Sequence, residues 1–221
     1  MKRFLFRLFN LFFGLSLFAL GIVITIRANI GYAPWDVFHA GLAFTTGISI
    51  GIASIITGTA IAVIVTIAGE KIGIGTVANI VVIGLLIDLY IKLDFIPAGT
   101  GMFNGIVMLL TGLLVVSTGS YFYIKSGFGA GPRDNLMVVL NKKTRLPIGV
   151  CRSIVELSAT LTGWLLGGMV GAGTIISAVA IGFFIQLTFF VCKFKASEVK
   201  HETINNTYRT FKELIKNDIK S

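Results

Sequence analysis

From Leu157 to Cys192 the chain carries no Asp, Glu, Lys or Arg, and the same holds from Leu8 to Ile26 and from Phe103 to Ile124. Between Ala28 and Gly69 the single exception is Asp36. An apolar helix of about 20 residues, rising 1.5 Å each, crosses the roughly 30 Å hydrocarbon layer of a bilayer. A transmembrane barrel would instead alternate polar and apolar residues over about 10 positions, and these runs are apolar all round. They predict an all-α, polytopic membrane protein. Composition agrees: charged residues make up 13% and mean hydropathy is +0.89, against about 25% charged in soluble domains. So few charges exclude a soluble globular surface and a disordered chain, and two cysteines exclude a disulfide-stapled module.

Six transmembrane helices are expected, at about 8–27, 49–68, 76–91, 103–124, 148–167 and 174–192. Two shorter apolar segments, about 35–45 and 133–141, are too short to cross and read as half-helices. The first span is expected to remain uncleaved, since its apolar core exceeds the 7–15 residues of a signal peptide and no small-x-small site follows. Lys and Arg near span ends set orientation. Lys2, Arg3 and Arg7 precede the first span; Lys125, Arg133, Lys142, Lys143, Arg145 and Arg152 crowd the loop between spans four and five; Lys193 and Lys195 follow the last. This pattern places both termini in the cytoplasm of a bacterial cell, with the protein in its inner membrane.

Sliding the chain by 98 residues aligns Gly14–Leu89 with Gly112–Leu187 without a gap, and 21 of the 76 aligned positions are identical. Among them are Gly31/Gly129, Pro34/Pro132, Asp36/Asp134, Gly51/Gly149, Gly73/Gly171, Gly75/Gly173, Thr76/Thr174 and Gly84/Gly182. Shared apolar composition explains matched Ile and Leu, but not a Gly-x-x-Pro-x-Asp pair and a Gly-x-Gly-Thr pair in one register. Each copy holds three crossings, an odd number, so the copies are expected to lie upside down relative to one another, a plan that recurs in transporters. The expected organisation is a first membrane repeat over 1–98, a second over 99–193, and a cytoplasmic tail over 194–221. In that tail Ile204, Tyr208, Phe211, Ile215 and Ile219 fall at helical spacing, with Lys200, Arg209, Lys212, Lys216 and Lys220 elsewhere. This predicts an amphipathic basic helix suited to anionic lipids.

The segments Gly31-Tyr32-Ala33-Pro34-Trp35-Asp36 and Gly129-Ala130-Gly131-Pro132-Arg133-Asp134, with Arg152, Glu156 and Gly171-Ala172-Gly173-Thr174, resemble the YczE/YyaS/YitT family of bacterial integral membrane proteins. The YczE-like branch fits best, because the YitT-like branch usually carries a C-terminal soluble domain and a short tail stands here. The resemblance covers about residues 5–192. It implies fold and membrane location and no particular chemistry.

In each Gly-x-x-Pro-x-Asp motif, Gly permits a left-handed backbone, Pro suits the first helical position, and Asp meets the positive end of the helix dipole. Two readings follow. Each Asp caps its own helix, or the two half-helix N-termini point at a shared site. Carboxylates there would favour a cation, a proton or an amine over an anion, which competes for the same donors. Arg152 and Glu156, four residues apart, are expected to pair on one helix face inside the fifth span, as a structural ion pair or as a proton or substrate site. Asp88 and Lys92 have the same spacing and are expected to pair at an interface. Arg27 and Lys125 either snorkel or pair with Asp36 and Asp134. His39, one turn after Asp36, is a structural or proton-handling residue; Arg133 joins the candidates beside Asp134; His201 is expected to be solvated. Gly73-x-Gly75-Thr76 and Gly171-x-Gly173-Thr174 suit a tight turn with Thr as N-cap.

No cofactor and no metal are expected, since no Cys/His/acid set has ligand spacing. No enzyme is expected either, since no nucleophile–base set can be assembled. The expected function is a small transporter-like permease with a site between two inverted repeats, its partners being lipids and a small solute or cation. A non-transporting membrane accessory protein is the alternative. A homodimer is one expected assembly, because six short Gly-rich spans make a thin wall. Nucleic acid is not an expected partner, because the positive-inside pattern accounts for the basic charge.

Overall fold

The computed structural model describes residues 2–199 and 201–218. Among these it contains helices α1 (Lys2–Arg27), α2 (Pro34–Thr46), α3 (Ile50–Ile67), α4 (Ile74–Leu93), α5 (Gly101–Ser126), α6 (Pro132–Thr144), α7 (Ile148–Leu165), α8 (Ala172–Val191) and α9 (Ile204–Asp218), with a single 3-10 turn at Ala196–Glu198. Five of them, α1, α3, α4, α5 and α8, are long and apolar enough to cross a membrane. α7, at 18 residues, falls short of them in apolar character because it carries Arg152 and Glu156.

The helix boundaries repeat. Adding 98 to both ends of α2, α3 and α4 gives both ends of α6, α7 and α8. Each short helix starts on its proline, Pro34 or Pro132, after an extended residue. The preceding Gly31 and Gly129 have φ of +111° and +135°, a region that side chains with a Cβ rarely enter. This is where the chain turns after a long helix and begins a short one.

α1 and α5 form the central crossing. A Cβ on Gly21 would lie 2.6 Å from the amide nitrogen of Val116 and 2.7 Å from the carbonyl of Gly112, and one on Gly119 would lie 2.8 Å from the carbonyl of Gly14. Small residues let membrane helices approach to backbone contact in this way. Gly14 faces Gly119 and Gly21 faces Gly112, so the two helices run antiparallel. Their ends confirm it. Arg7 near the start of α1 donates to the carbonyl of Ser126, the last residue of α5. At the other end of the bundle the Gly99 N–H, just before α5, donates to the carbonyl of Arg27. Leu11, Leu15, Ala19, Ile22, Val23 and Ile26 of α1 build the main core with Ile83, Ile87, Val116 and Tyr123.

The halves also grip each other through their loops. The Gly75 N–H donates to the carbonyl of Phe128 at 2.8 Å, and the Gly173 N–H donates to the carbonyl of Ile30 at 2.7 Å. These bonds are images of one another at an offset of 98. The threonines of the Gly-x-Gly-Thr motifs sit at the third helical position and not at the N-cap. Gly73 and Gly171 occupy the caps, because only there can the chain pass against the opposite loop. Thr76 and Thr174 reach back to accept the N–H of Gly73 and Gly171 at 3.2 and 3.1 Å.

The tail begins on the bundle end that holds the start of α1. The Glu202 carboxylate pairs with Arg7 at 2.6 Å, its N–H donates to the carbonyl of Gly127, and the Ile204 N–H donates to that of Ile72. Phe211 of α9 lies beside Phe4, with ring centroids 5.9 Å apart. The expected contributions of Lys200, Ile219 and Lys220 lie outside the described residues.

Candidate functional site

A cavity of about 390 Å³ lies in the middle of the bundle and touches all of α1 to α8. Its walls come largely in pairs 98 residues apart: Thr25 with Tyr123, Pro34 with Pro132, Asp36 with Asp134, Ser54 with Arg152, Gly58 with Glu156, and Asn79 with Ser177. The cavity therefore sits where the two halves of the chain meet.

The polar wall is concentrated on α2, α6 and α7. Pro34 and Pro132 start the short helices at its rim and turn their first residues inward. Asp36 is 4% exposed, and its Oδ1 is buried without a hydrogen-bond partner. His39 Nδ1 lies 3.6 Å from that oxygen, beyond hydrogen-bond reach, and both ring nitrogens are buried and unpaired. Tyr123 adds a third buried, unpaired group through its hydroxyl. Orphaned polar atoms in an apolar interior each cost about 1–3 kcal/mol, and here they gather around one space. The N-cap residues Ala33 and Gly131 supply no side-chain cap, and the unpaired Oδ1 of Asp36 leaves the self-capping reading without the bond it requires there.

Arg133 lies over the ring of Trp35 with 4.7 Å between guanidinium carbon and centroid. It lines the same cavity as Asp36, Asp134 and Glu156. Arg152 donates from Nε to Glu156 at 2.8 Å, as the spacing predicted. Asp134, the image of Asp36, lies inside the bundle yet is exposed to accessible space. Three carboxylic side chains and two guanidinium groups face the cavity, one acidic residue more than basic. Among the described residues no group of three or more His, Cys, Asp or Glu is placed to hold a metal ion.

Several expected residues lie elsewhere. Arg27 pairs with Asp94 and the carbonyl of Ile91, not with Asp36, because α1 carries it to the end of the bundle. Lys125 donates to the Tyr121 hydroxyl at 2.7 Å instead of meeting Asp134. Asp88 does not pair with Lys92; it accepts the Ser49 hydroxyl at 2.5 Å and the Gly51 N–H at 2.8 Å, tying α4 to the start of α3. Gly31 and Gly129 shape the loops behind the site and do not line it. His201 is exposed. Sequence reasoning missed Trp35, Tyr123, Asn79 and Ser177. The last two were detectable, as polar residues at matching positions inside two apolar runs.

Residues 5–189 match a family described as "Family of unknown function (DUF6198)". An uncharacterized protein of Haemophilus influenzae is 36% identical over 176 residues, 80% of each chain. The "Uncharacterized membrane protein YczE" of Bacillus subtilis is 34% identical over 182 residues, covering 80% of this chain and 82% of that one. The "Uncharacterized protein YyaS" of the same organism is 23% identical over 180 residues, covering 79% and 88%. No solved structure matches the chain.

Proposed function

The chain belongs to the DUF6198 family of unknown function, and from that premise we propose that it is a small-solute permease of the bacterial cell membrane, with its site in the central cavity. The reading takes α7 as the sixth span, the two halves as inverted repeats, and both termini as cytoplasmic. The antiparallel α1–α5 crossing, the reciprocal loop bonds and the paired cavity walls support that layout. So does charge placement: Arg7, Lys71, Lys125 and the Lys142–Glu70 pair belong to segments at one end of the bundle.

One observation carries the function. Buried polar atoms of Asp36, His39 and Tyr123 stand unpaired around a cavity at the boundary between repeats. A permease holds its solute at that boundary and rocks the repeats around it. Groups left without partners are those a solute would satisfy, and ionisable residues inside a membrane are functional candidates. The excess carboxylate favours a solute with a cationic nitrogen, and Trp35, which already faces a guanidinium, suits such a group. The reading is non-enzymatic.

The test is uptake of labelled guanidinium, choline and putrescine into proteoliposomes, with acetate as control. At least one cation should enter with the protein and not without it. Asp36→Asn should lower that uptake about ten- to hundredfold, the loss of one charge-assisted bond. Uptake of no cation would sink this reading. Copurification of one stoichiometric partner without flux would favour the accessory role.

A further inference from the structure

We propose that the seam between α7 and α8 is the cytoplasmic gate of this cavity, that it stands open in this structure, and that it closes as its image, the α3–α4 seam, opens. The inference rests on the permease reading and adds which helices move and which side is open.

The first seam is sealed. α3 packs along α4. A Cβ on Gly84 would lie 2.6 Å from the carbonyl of Gly51 and 2.5 Å from the Ile55 side chain. Asp88 then latches the seam by accepting the Ser49 hydroxyl and the Gly51 N–H. The second seam is built from the same positions and is apart. Among the described residues α7 and α8 lack that packing. Gly149 and Gly182, the images of Gly51 and Gly84, have nothing within 4 Å of where a Cβ would stand. Two glycines shaped for backbone contact face empty space.

The second seam is also shaped to close. On the first, Gly58 is small and Ile80 opposite it is large, with 3.0 Å between them for a Cβ at Gly58. On the second, the images are Glu156, which is large, and Ala178, which is small, so the summed bulk across the seam is conserved. Gln186 replaces Asp88 and can accept the Gly149 N–H. Pro147 replaces Ser49 and has no donor. Closure is thus held by one neutral bond, where the first seam has two bonds to a charge, and charge-assisted bonds are roughly twice as strong. This asymmetry favours the open second seam at rest.

Access to the cavity follows the same division. Asp36 is 4% exposed while Asp134 is exposed. Arg152 and Glu156 on α7 have side chains 39% and 17% exposed. In the proposed topology the start of α7 faces the cytoplasm, so the cavity is open inward. Two copies of one unit related by inversion can exchange their conformations, and the exchange turns an inward-open cavity into an outward-open one.

Cysteine pairs test this in native membranes, on a Cys151→Ser, Cys192→Ser background. Ser49→Cys with Asp88→Cys should form a disulfide within one chain on oxidation with copper phenanthroline. Pro147→Cys with Gln186→Cys should also form one, which the open seam alone would not allow. Adding Gly182→Leu should abolish the second disulfide and leave the first, without loss of folded protein, because the side chain enters open space here. An added Asn79→Cys on the cavity wall should react with an impermeant thiol reagent from outside only after the 147–186 pair is oxidised. The gate is refuted if that pair never joins in protein that elutes as a single species and forms the 49–88 pair. It is equally refuted if the pair joins only between chains. Both disulfides without any solute uptake would remove the permease reading and leave the moving seam in place.

Discussion

The two halves of this chain share a backbone and differ in what they hang on it. α2 presents Trp35, Asp36 and His39 where α6 presents Arg133, Asp134 and Met137; α3 presents Ser54 and Gly58 where α7 presents Arg152 and Glu156. Both guanidinium groups of the cavity therefore come from the second half. Most glycines and prolines that set the path of the chain are matched between the halves, and of the cavity's charged residues only Asp36 and Asp134 are. Geometry demands the former of each copy, since a close crossing or a turn at positive φ tolerates little else. Arg152 and Glu156 stand in the second half where the first has Ser54 and Gly58, and Gly58 serves a close α3–α4 contact with Ile80.

The sharpest way to break this comparison is to disturb what the halves share. Gly21→Leu should drive a side chain into the backbone of α5, and overpacking of this kind costs about 3 kcal/mol or more when backbone must move. Thermal unfolding in detergent should show a large drop or no folded protein, and a stability within error of the parent would contradict the α1–α5 crossing. A smaller effect should separate the two Gly-x-Gly-Thr motifs. Thr76 donates to the carbonyl of Ala130 at 2.7 Å as well as accepting from Gly73, whereas among the described residues the Thr174 hydroxyl bonds to Gly171 alone. Thr76→Val should lose about 2 kcal/mol and Thr174→Val about 1, at about 1 kcal/mol per bond. Equal losses would mean that the Ala130 bond contributes nothing. The smallest effect belongs to the exposed pair of Arg27 with Asp94, whose carboxylate side chain is 71% exposed. Asp94→Ala should change stability by less than about 1 kcal/mol and leave uptake intact; a marked loss of uptake would put Arg27 back into the pathway.

Much of the architecture was legible in the sequence because long apolar runs and a register of 98 are global signals. The short helices begin on the expected prolines, and Arg152 meets Glu156 as spacing requires. Partners between distant segments were less legible. Nothing local to Asp88 marks the Ser49 hydroxyl and the Gly51 N–H as donors to its carboxylate, and helix spacing instead favoured Lys92. Arg27 illustrates the same limit: sequence places it near Asp36, but the long α1 carries it to the bundle end, beside a residue in another loop. Trp35 was hidden for a different reason. An aromatic residue in an apolar helix carries no sign of its neighbour, and only the approach of α6 shows that a cation covers its face.

The exchanged loop bonds have a consequence for how the chain is made. The Gly75 N–H finds its acceptor at Phe128, and the Ile30 carbonyl finds its donor at Gly173. As the ribosome delivers α1 to α4, these groups have no partners; Phe128 follows only after α5, and Gly173 only after α7. Insertion must then hold an unfinished half in lipid while its complement is still being translated. Two separately expressed pieces, cut in the loop between Leu93 and Gly101, should accumulate together and be degraded when either is made alone.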